Sequence, residues 1–260
     1  MKNCPITFFA VGLLLGLVAL PVAEARAVEG GHFSLGTGFD YSTGNFGASN
    51  STSILSIPVV GSYATDLWAF KVSVPYVWIS GPGGVLPDGR RVKAAATNKK
   101  STQSGLGDVI AAATRNIISG TEHNTRADLT GKIKFATAGT NLGTGENDYA
   151  VQVDLYQGLD RFTAMGALGY EVLGSPAGVS MNNVAYGILG GFYRLTERTG
   201  GGAEMRISQR PSAIDAGQRE LTVYLTHASG EGLNFRGYVL KGFSDGSPDS
   251  GFGLLVSSDL

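Results

Sequence analysis

The chain has 260 residues, with 20 Lys and Arg against 21 Asp and Glu, a formal net charge of −1, only 16% charged residues and 39 glycines. Binding to phosphate backbones calls for a clustered basic excess, so this balance excludes nucleic acid as a partner. The only cysteine, Cys4, lies ahead of the first apolar run, so the chain beyond that run has no thiol for a disulfide, a thiolate metal site or a nucleophile.

The chain opens with Lys2, the apolar run "FFAVGLLLGLVAL" from Phe8 to Leu20, Pro21, and the small-residue pattern Ala23-Glu24-Ala25. This is the build of a secretory signal peptide over residues 1–25, too short for a stable anchor and ending in an A-x-A cleavage pattern. Residues 26–260 are then expected to form one domain. No later apolar stretch approaches the roughly 20 residues of a spanning helix.

Beyond the signal, side chains alternate in character with a period of two, which is the mark of a strand. About twelve such segments follow, each near the length of 9 to 11 residues that a tilted strand needs to cross a bilayer. In order they run Phe33 to Ser42, Ser53 to Tyr63, Leu67 to Ser80, Gly107 to Ile118, Ala127 to Thr137 and Tyr149 to Gly158. The rest are Arg161 to Leu173, Asn183 to Leu195, Gly202 to Pro211, Arg219 to Ala228, Leu233 to Phe243 and Gly251 to Ser258. Even-numbered links are mostly tight, as in "ATD" (Ala64 to Asp66) and "LD" (Leu159, Asp160); odd-numbered links are longer, as in Gly81 to Ser104 and Ala138 to Asp148. Short turns on one side and long loops on the other predict an all-β fold, a single antiparallel transmembrane β-barrel of about 12 strands with its termini on the short-turn side.

Trp68, Phe70, Val72, Val74, Tyr76 and Trp78 form an alternate-residue series with aromatics at both ends, as expected of a lipid-facing strand. The opposite faces supply the candidate lumen lining: Lys71, Lys132, Lys134, Gln152, Asp154, Glu171, Glu204, Arg206, Arg210, Glu220 and Arg236. Eight-stranded barrels are filled by their side chains and sixteen-stranded ones hold an open channel. Twelve strands with acids and bases interleaved predict a narrow, partly paired lumen, with an open passage as the alternative. The link from Gly81 to Ser104 carries Arg90, Arg91, Lys93, Lys99 and Lys100 against Asp88, a basic extracellular loop suited to be a lid or to meet lipopolysaccharide phosphates, or simply to be solvated.

The glycine-rich stretch from Ala138 to Asp148 does not match a phosphate-binding loop: no G-x-x-x-x-G-K-[ST] is present, and Glu146 and Asp148 follow where phosphate would sit. Three histidines, His32, His123 and His227, show neither metal-ligand spacing nor placement at the outer rim with an acid and a serine. No catalytic residue, metal or cofactor is therefore expected, and the chain is not read as an enzyme.

"SGLGDVIAAATRNII" followed by "KIKFATAGTNLGTGENDYAVQVDLYQGLDRFTAMGALGYEVLG" resembles the outer-membrane proteins grouped as the meta-pathway of phenol degradation family. The matching pieces are Gly105 to Val109, Lys134 with the Gly139 turn, Gly143-Thr144-Gly145 with Asp148-Tyr149, and Gly169-Tyr170 with Gly174. Ala136-Thr137-Ala138-Gly139 stands where the family has a Pro-Thr-Gly-Asp step. The resemblance implies an outer-membrane pore or facilitator for small aromatic or hydrophobic compounds, working passively. Its expected partners are the solute, the outer-membrane lipid with lipopolysaccharide, and the barrel-assembly machinery during biogenesis. Two alternatives stay open at this level: a structural or surface-interaction barrel with a closed lumen, and an outer-membrane lipid hydrolase.

Overall fold

The computed structural model describes residues 31–91, 101–120, 124–139 and 142–260. The signal segment and Lys93, Lys99, Lys100 and His123 lie outside the described residues.

Thirteen strand segments form one antiparallel sheet: β1 (His32–Gly44), β2 (Thr52–Ala64), β3 (Trp68–Gly81), β4 (Ser101–Leu106), β5 (Val109–Ser119), β6 (Thr125–Phe135) and β7 (Asp148–Leu159), then β8 (Phe162–Val172), β9 (Val184–Arg194), β10 (Thr199–Ser208), β11 (Arg219–Ala228), β12 (Leu233–Gly242) and β13 (Ser250–Asp259). Strands pair with their neighbours in sequence, apart from β4 and β5, and β1 pairs with both β2 and β13, so the sheet closes on itself. β4 and β5 pair with successive stretches of β3, Tyr76 to Gly81 and Trp68 to Ser73 respectively, so thirteen segments make twelve barrel positions.

The expected twelve strands are thus present with one correction. Ser101 to Ser104, read as part of the long third link, belong to β4, and the strand expected from Gly107 is broken at Gly107 and Asp108. Asp108 explains the break. Its carboxylate accepts the amides of Thr137 (3.1 Å) and Ala138 (2.9 Å) and the Lys134 ammonium (2.8 Å), which draws this backbone out of line with β3.

Links after β2, β7, β9 and β11 are tight, and Asp160 takes a positive φ of 58° in the turn from β7 to β8. Apart from the short β4, the strands have ten to fourteen residues and, at about 3.3 Å per residue and about 45° tilt, climb roughly 23 to 33 Å, the thickness of a bilayer's hydrocarbon core.

Alternation sends apolar residues outward all round the wall. Phe70, Val72, Val151, Val153, Leu168, Leu189, Val223, Leu225, Val239 and Leu254 are exposed there. On β3, Trp68 stacks on Phe70 near the short-turn end with Arg115 over its ring, and Tyr76 packs on Trp78 near the other end. A continuous exposed band of this kind is stable only against lipid. Inward, glycines make room for rings: a Cβ at Gly169 would lie 2.1 Å from the Tyr186 ring, and one at Gly253 would lie 2.6 Å from the Tyr238 ring.

Candidate functional site

The lumen contains two distinct layers. At the outer end residues 82–91, which follow β3, fold into the barrel mouth instead of standing out in solvent. Val85 and Leu86 are buried there, and Val85 packs with Phe46, Ile54, Val77, Ile79 and Leu142 into one apolar cluster, with Ala138 against it. Phe46 comes from the link between β1 and β2. It is essentially inaccessible and is held at a φ of 46°, a left-handed conformation rarely taken by a bulky residue. Such strain costs on the order of 1 to 3 kcal/mol and persists only where the surroundings over-determine it. Gly89, with φ 82°, lies against the Phe46 ring, where a Cβ would sit 3.0 Å from Cε1.

Ion pairs clamp this layer. Arg90 is 5% exposed; its Nη2 lies 2.5 Å from Asp88 Oδ2 and 2.7 Å from Asp148 Oδ2. Burial would push the guanidinium's pKa down, but Asp88 and Asp148 outweigh it and hold Arg90 charged, with a net upward shift. Lys134 Nζ donates to Asp108 Oδ2 (2.8 Å), to Thr144 Oγ1 (3.2 Å) and to the Glu146 carbonyl (3.0 Å), and lies 3.3 Å from Asp148 Oδ2. Asp148 Oδ1 in turn accepts the Gly174 amide at 2.9 Å. Asp108, Lys134, Thr144, Asp148 and Gly174, scattered over 67 positions of sequence, are among the residues that carried the family resemblance; in space they form one network.

Arg90, expected in a basic extracellular loop suited to be a lid, to meet lipopolysaccharide phosphates or to be solvated, is turned inward, where two carboxylates hold it. Arg91 is half-buried, and its Nη1 donates to the Gly47 carbonyl at 3.1 Å.

The second layer is polar and is carried by the strands themselves. Asp154, Glu171, Glu204, Arg206, Glu220 and Arg236 are all buried. Tyr186 Oη donates to Gln152 Oε1 at 2.6 Å, Gln152 Nε2 donates to Asp154 Oδ1 at 2.7 Å, and Lys132 Nζ donates to the same Gln152 Oε1 at 3.3 Å. The guanidinium of Arg206 lies 4.0 Å from the Tyr186 ring centre and 3.9 Å from Glu171, and its Nε and Nη2 are buried without a hydrogen-bond partner. Arg236 stacks on Tyr224 at 3.9 Å. Asp40 accepts a short hydrogen bond from Tyr238.

Lys71, Lys132, Lys134, Gln152, Asp154, Glu171, Glu204, Arg206, Glu220 and Arg236 all sit on the inward set of their strands. Arg210 does not. β10 ends at Ser208, and Arg210 lies exposed in the outer link beyond it. Phe46, Asp88, Asp108, Asp148 and Asp215 had not been singled out for the lumen. Of these, only the Gly-Asp step at Gly107-Asp108 and the Asp148-Tyr149 pair left a trace in the sequence, through the resemblance. Of the histidines, His227 faces outward and bonds Thr199 Oγ1 at 2.9 Å, and His32 begins β1 at the short-turn end.

Asp215, in the link from β10 to β11, ties the inward loop to the opposite wall. Its carboxylate accepts the Arg91 amide (3.0 Å) and the Ala216 amide (2.8 Å). Burial pushes this carboxyl up from 3.8 to about 6; the Arg91 and Ala216 amides and the Arg91 charge pull it down, and Asp88 adds to the rise. A raised folded-state value means the docked loop holds its proton where an undocked one has lost it. Docking is therefore favoured most below about pH 4, weakens as pH climbs to about 6, and is flat above. Amide exchange of residues 85–91, corrected for intrinsic rates, is expected to be slower at about pH 4.5 than at about pH 7; equal protection at both would contradict this.

No protein-family model and no curated protein matches the sequence. Among solved structures, the fold is that of bacterial outer-membrane barrels. An outer membrane channel from Pseudomonas putida F1 superposes with a TM-score of 0.71 at 12% identity, over 94% of this chain and 100% of the other. The NanC porin superposes with a TM-score of 0.57 at 11% identity, over 87% of this chain and 100% of the other.

Proposed function

We propose that the protein is a passive channel of the bacterial outer membrane for small hydrophobic compounds, aromatic ones included, working without cofactor or energy source. The apolar cluster of Phe46, Ile54, Val77, Ile79, Val85 and Leu142 inside the outer mouth carries this reading. A water-filled pore gains nothing from such a lining, whereas an apolar solute that replaces water on it gains about 25 cal/mol for each Å² removed from solvent. Likeness in fold to an outer membrane channel supports it, as does the resemblance to the meta-pathway of phenol degradation family, whose matching residues meet around Lys134 and Asp148. In this reading residues 85–91 are the gate, and Arg90 is its catch.

Lipopolysaccharide contact shifts to the outward rim, where Arg210, Arg219 and Lys241 are exposed near the outer strand ends.

The buried polar layer favours a second reading, a structural barrel whose lumen stays closed. Uptake of radiolabelled toluene by cells that carry the protein, compared with cells that lack it, separates the two. Faster uptake, saturating with protein level, is expected. Identical uptake, together with no conductance in planar bilayers, would leave only the structural barrel.

A further inference from the structure

Arg206 is held in an unusual way for a buried cation. It stands on the inward set of β10, 4% exposed, with its guanidinium 4.0 Å from the centre of the Tyr186 ring. Neither Nε nor Nη2 has a hydrogen-bond partner among the described residues. These two nitrogens form one edge of the guanidinium, and their N–H bonds run side by side, the arrangement that takes both oxygens of a carboxylate. Buried charges are ordinarily paired and hydrogen-bonded, so an edge left open in this way calls for an explanation.

The neighbouring strands do supply acids, but none closes on that edge. Glu171 Oε1 stops 3.9 Å from Nη2, too far for a hydrogen bond. Glu220, directly opposite Arg206 in the β10–β11 ladder, keeps its own Oε2 buried without a partner, and Glu204 stands two residues away on the same face. The nearby cation Lys132, on β6, is turned to Gln152 Oε1 at 3.3 Å. What fixes Arg206 is the aromatic ring against it. Tyr186 is fixed in turn: its hydroxyl donates to Gln152 at 2.6 Å, Gln152 donates to Asp154 at 2.7 Å, and Gly169 leaves the space that the ring occupies. Apolar surface adjoins the cation. Ile188 pairs with Arg206 across the β9–β10 ladder and packs with Ala167 and Tyr186.

We propose that Arg206 is a binding site in the lumen for the carboxylate of a small monocarboxylic acid with an apolar body, aryl acids included. The edge of Nε and Nη2 takes the two carboxylate oxygens, the Tyr186 ring holds the guanidinium in place, and Ile188 and Ala167 meet the apolar body. This rests on the channel reading above and adds a charged class of solute to it. A guanidinium stacked on a ring is pre-organised, so little side-chain freedom is lost when the carboxylate arrives. Lysine supplies the charge at such a place but not two parallel donors.

The test measures binding of radiolabelled benzoate to the purified, assembled protein by equilibrium dialysis, with benzyl alcohol as the neutral competitor of similar shape. Heat-modifiable migration on a gel reports assembly for each variant. The parent is expected to bind benzoate at a single site, and benzyl alcohol is expected not to displace it. Arg206→Lys is expected to weaken binding about tenfold, equivalent to about 1.4 kcal/mol. Arg210→Gln, which removes an exposed cation of the outer link, is expected to match the parent. Glu171→Gln removes the acid nearest the open edge and is expected to tighten binding several-fold. Equal binding by Arg206→Lys and the parent would overturn the site, as would displacement by benzyl alcohol. If Arg206→Lys fails to assemble, Glu171→Gln decides: binding no tighter than the parent's would overturn the site. A parent that binds no benzoate, in cells that still take up toluene, would overturn the site and leave the channel. Toluene uptake equal with and without the protein would overturn the channel alone, because benzoate binding is read on the purified barrel.

Discussion

Arg90→Ala is expected to raise single-channel conductance several-fold and to lengthen the open periods. Removing one partner of a buried ion pair costs about 3 to 5 kcal/mol, because the other charge is left uncompensated. Arg90 serves two carboxylates at once, Asp88 and Asp148. Lys134, 3.3 Å from Asp148, still compensates one of them, so the loss belongs at the lower end of that range. Even about 3 kcal/mol shifts the balance between docked and undocked loop by about a hundredfold. Val85 and Leu86 then lose the tether that holds them in the mouth. Arg90→Lys keeps the charge but not the planar fork that reaches both acids, so it is expected to fall between the parent and the alanine variant. Conductance unaltered in Arg90→Ala would mean that the loop is held by its apolar residues alone and that the ion pairs are not the catch.

Lys134→Glu and Val153→Arg should fail in opposite ways, although both residues lie in neighbouring strands and both changes place a charge on the wall. Lys134 is buried among Asp108, Asp148, Thr144 and the Glu146 carbonyl. Reversing it gathers three carboxylates and removes the donor that joins the links of the outer mouth. The barrel is expected to insert, to melt at lower temperature, and to pass cations more readily than the parent. Val153 is 39% exposed on the outward face at the middle of β7. A cation there meets the bilayer midplane at about 2 to 4 kcal/mol. Folded yield in membranes is expected to fall, with normal conductance in the molecules that insert. Normal insertion of Val153→Arg beside failed insertion of Lys134→Glu would mean that the inward and outward sets are exchanged.

The strands and their faces were legible because both are consequences of period-two alternation, which neighbouring residues specify by themselves. Val151 and Val153 go out and Gln152 and Asp154 go in for the same reason, and pairing of the neighbouring strands β6 and β7 then places Lys132 beside Gln152 without further information. The tight turn at Asp160 and the long links were equally visible in the spacing. This local pattern says how each segment crosses the membrane and which side chains share the lumen.

Alternation carries no information where the ladder stops. Arg210 looked like the next inward residue after Arg206, yet it lies beyond the end of β10, where Ser212 is bridged to Met181. Arg90 looked like one more solvated cation, because its nearest carboxylate in sequence, Asp88, accounts for only half of its partners; the other, Asp148, is 58 residues away. The break at Gly107 and Asp108 follows from amides at Thr137 and Ala138, some 30 positions downstream. The wall of the barrel is thus largely a sum of short-range preferences, most strands finding a partner close by in the chain and only β1 and β13 joining its two ends. The inward turn of Val85 and Leu86 and the ion pairs of Arg90 with Asp88 and Asp148 exist only once the tertiary fold brings charges that are distant in sequence to the same height.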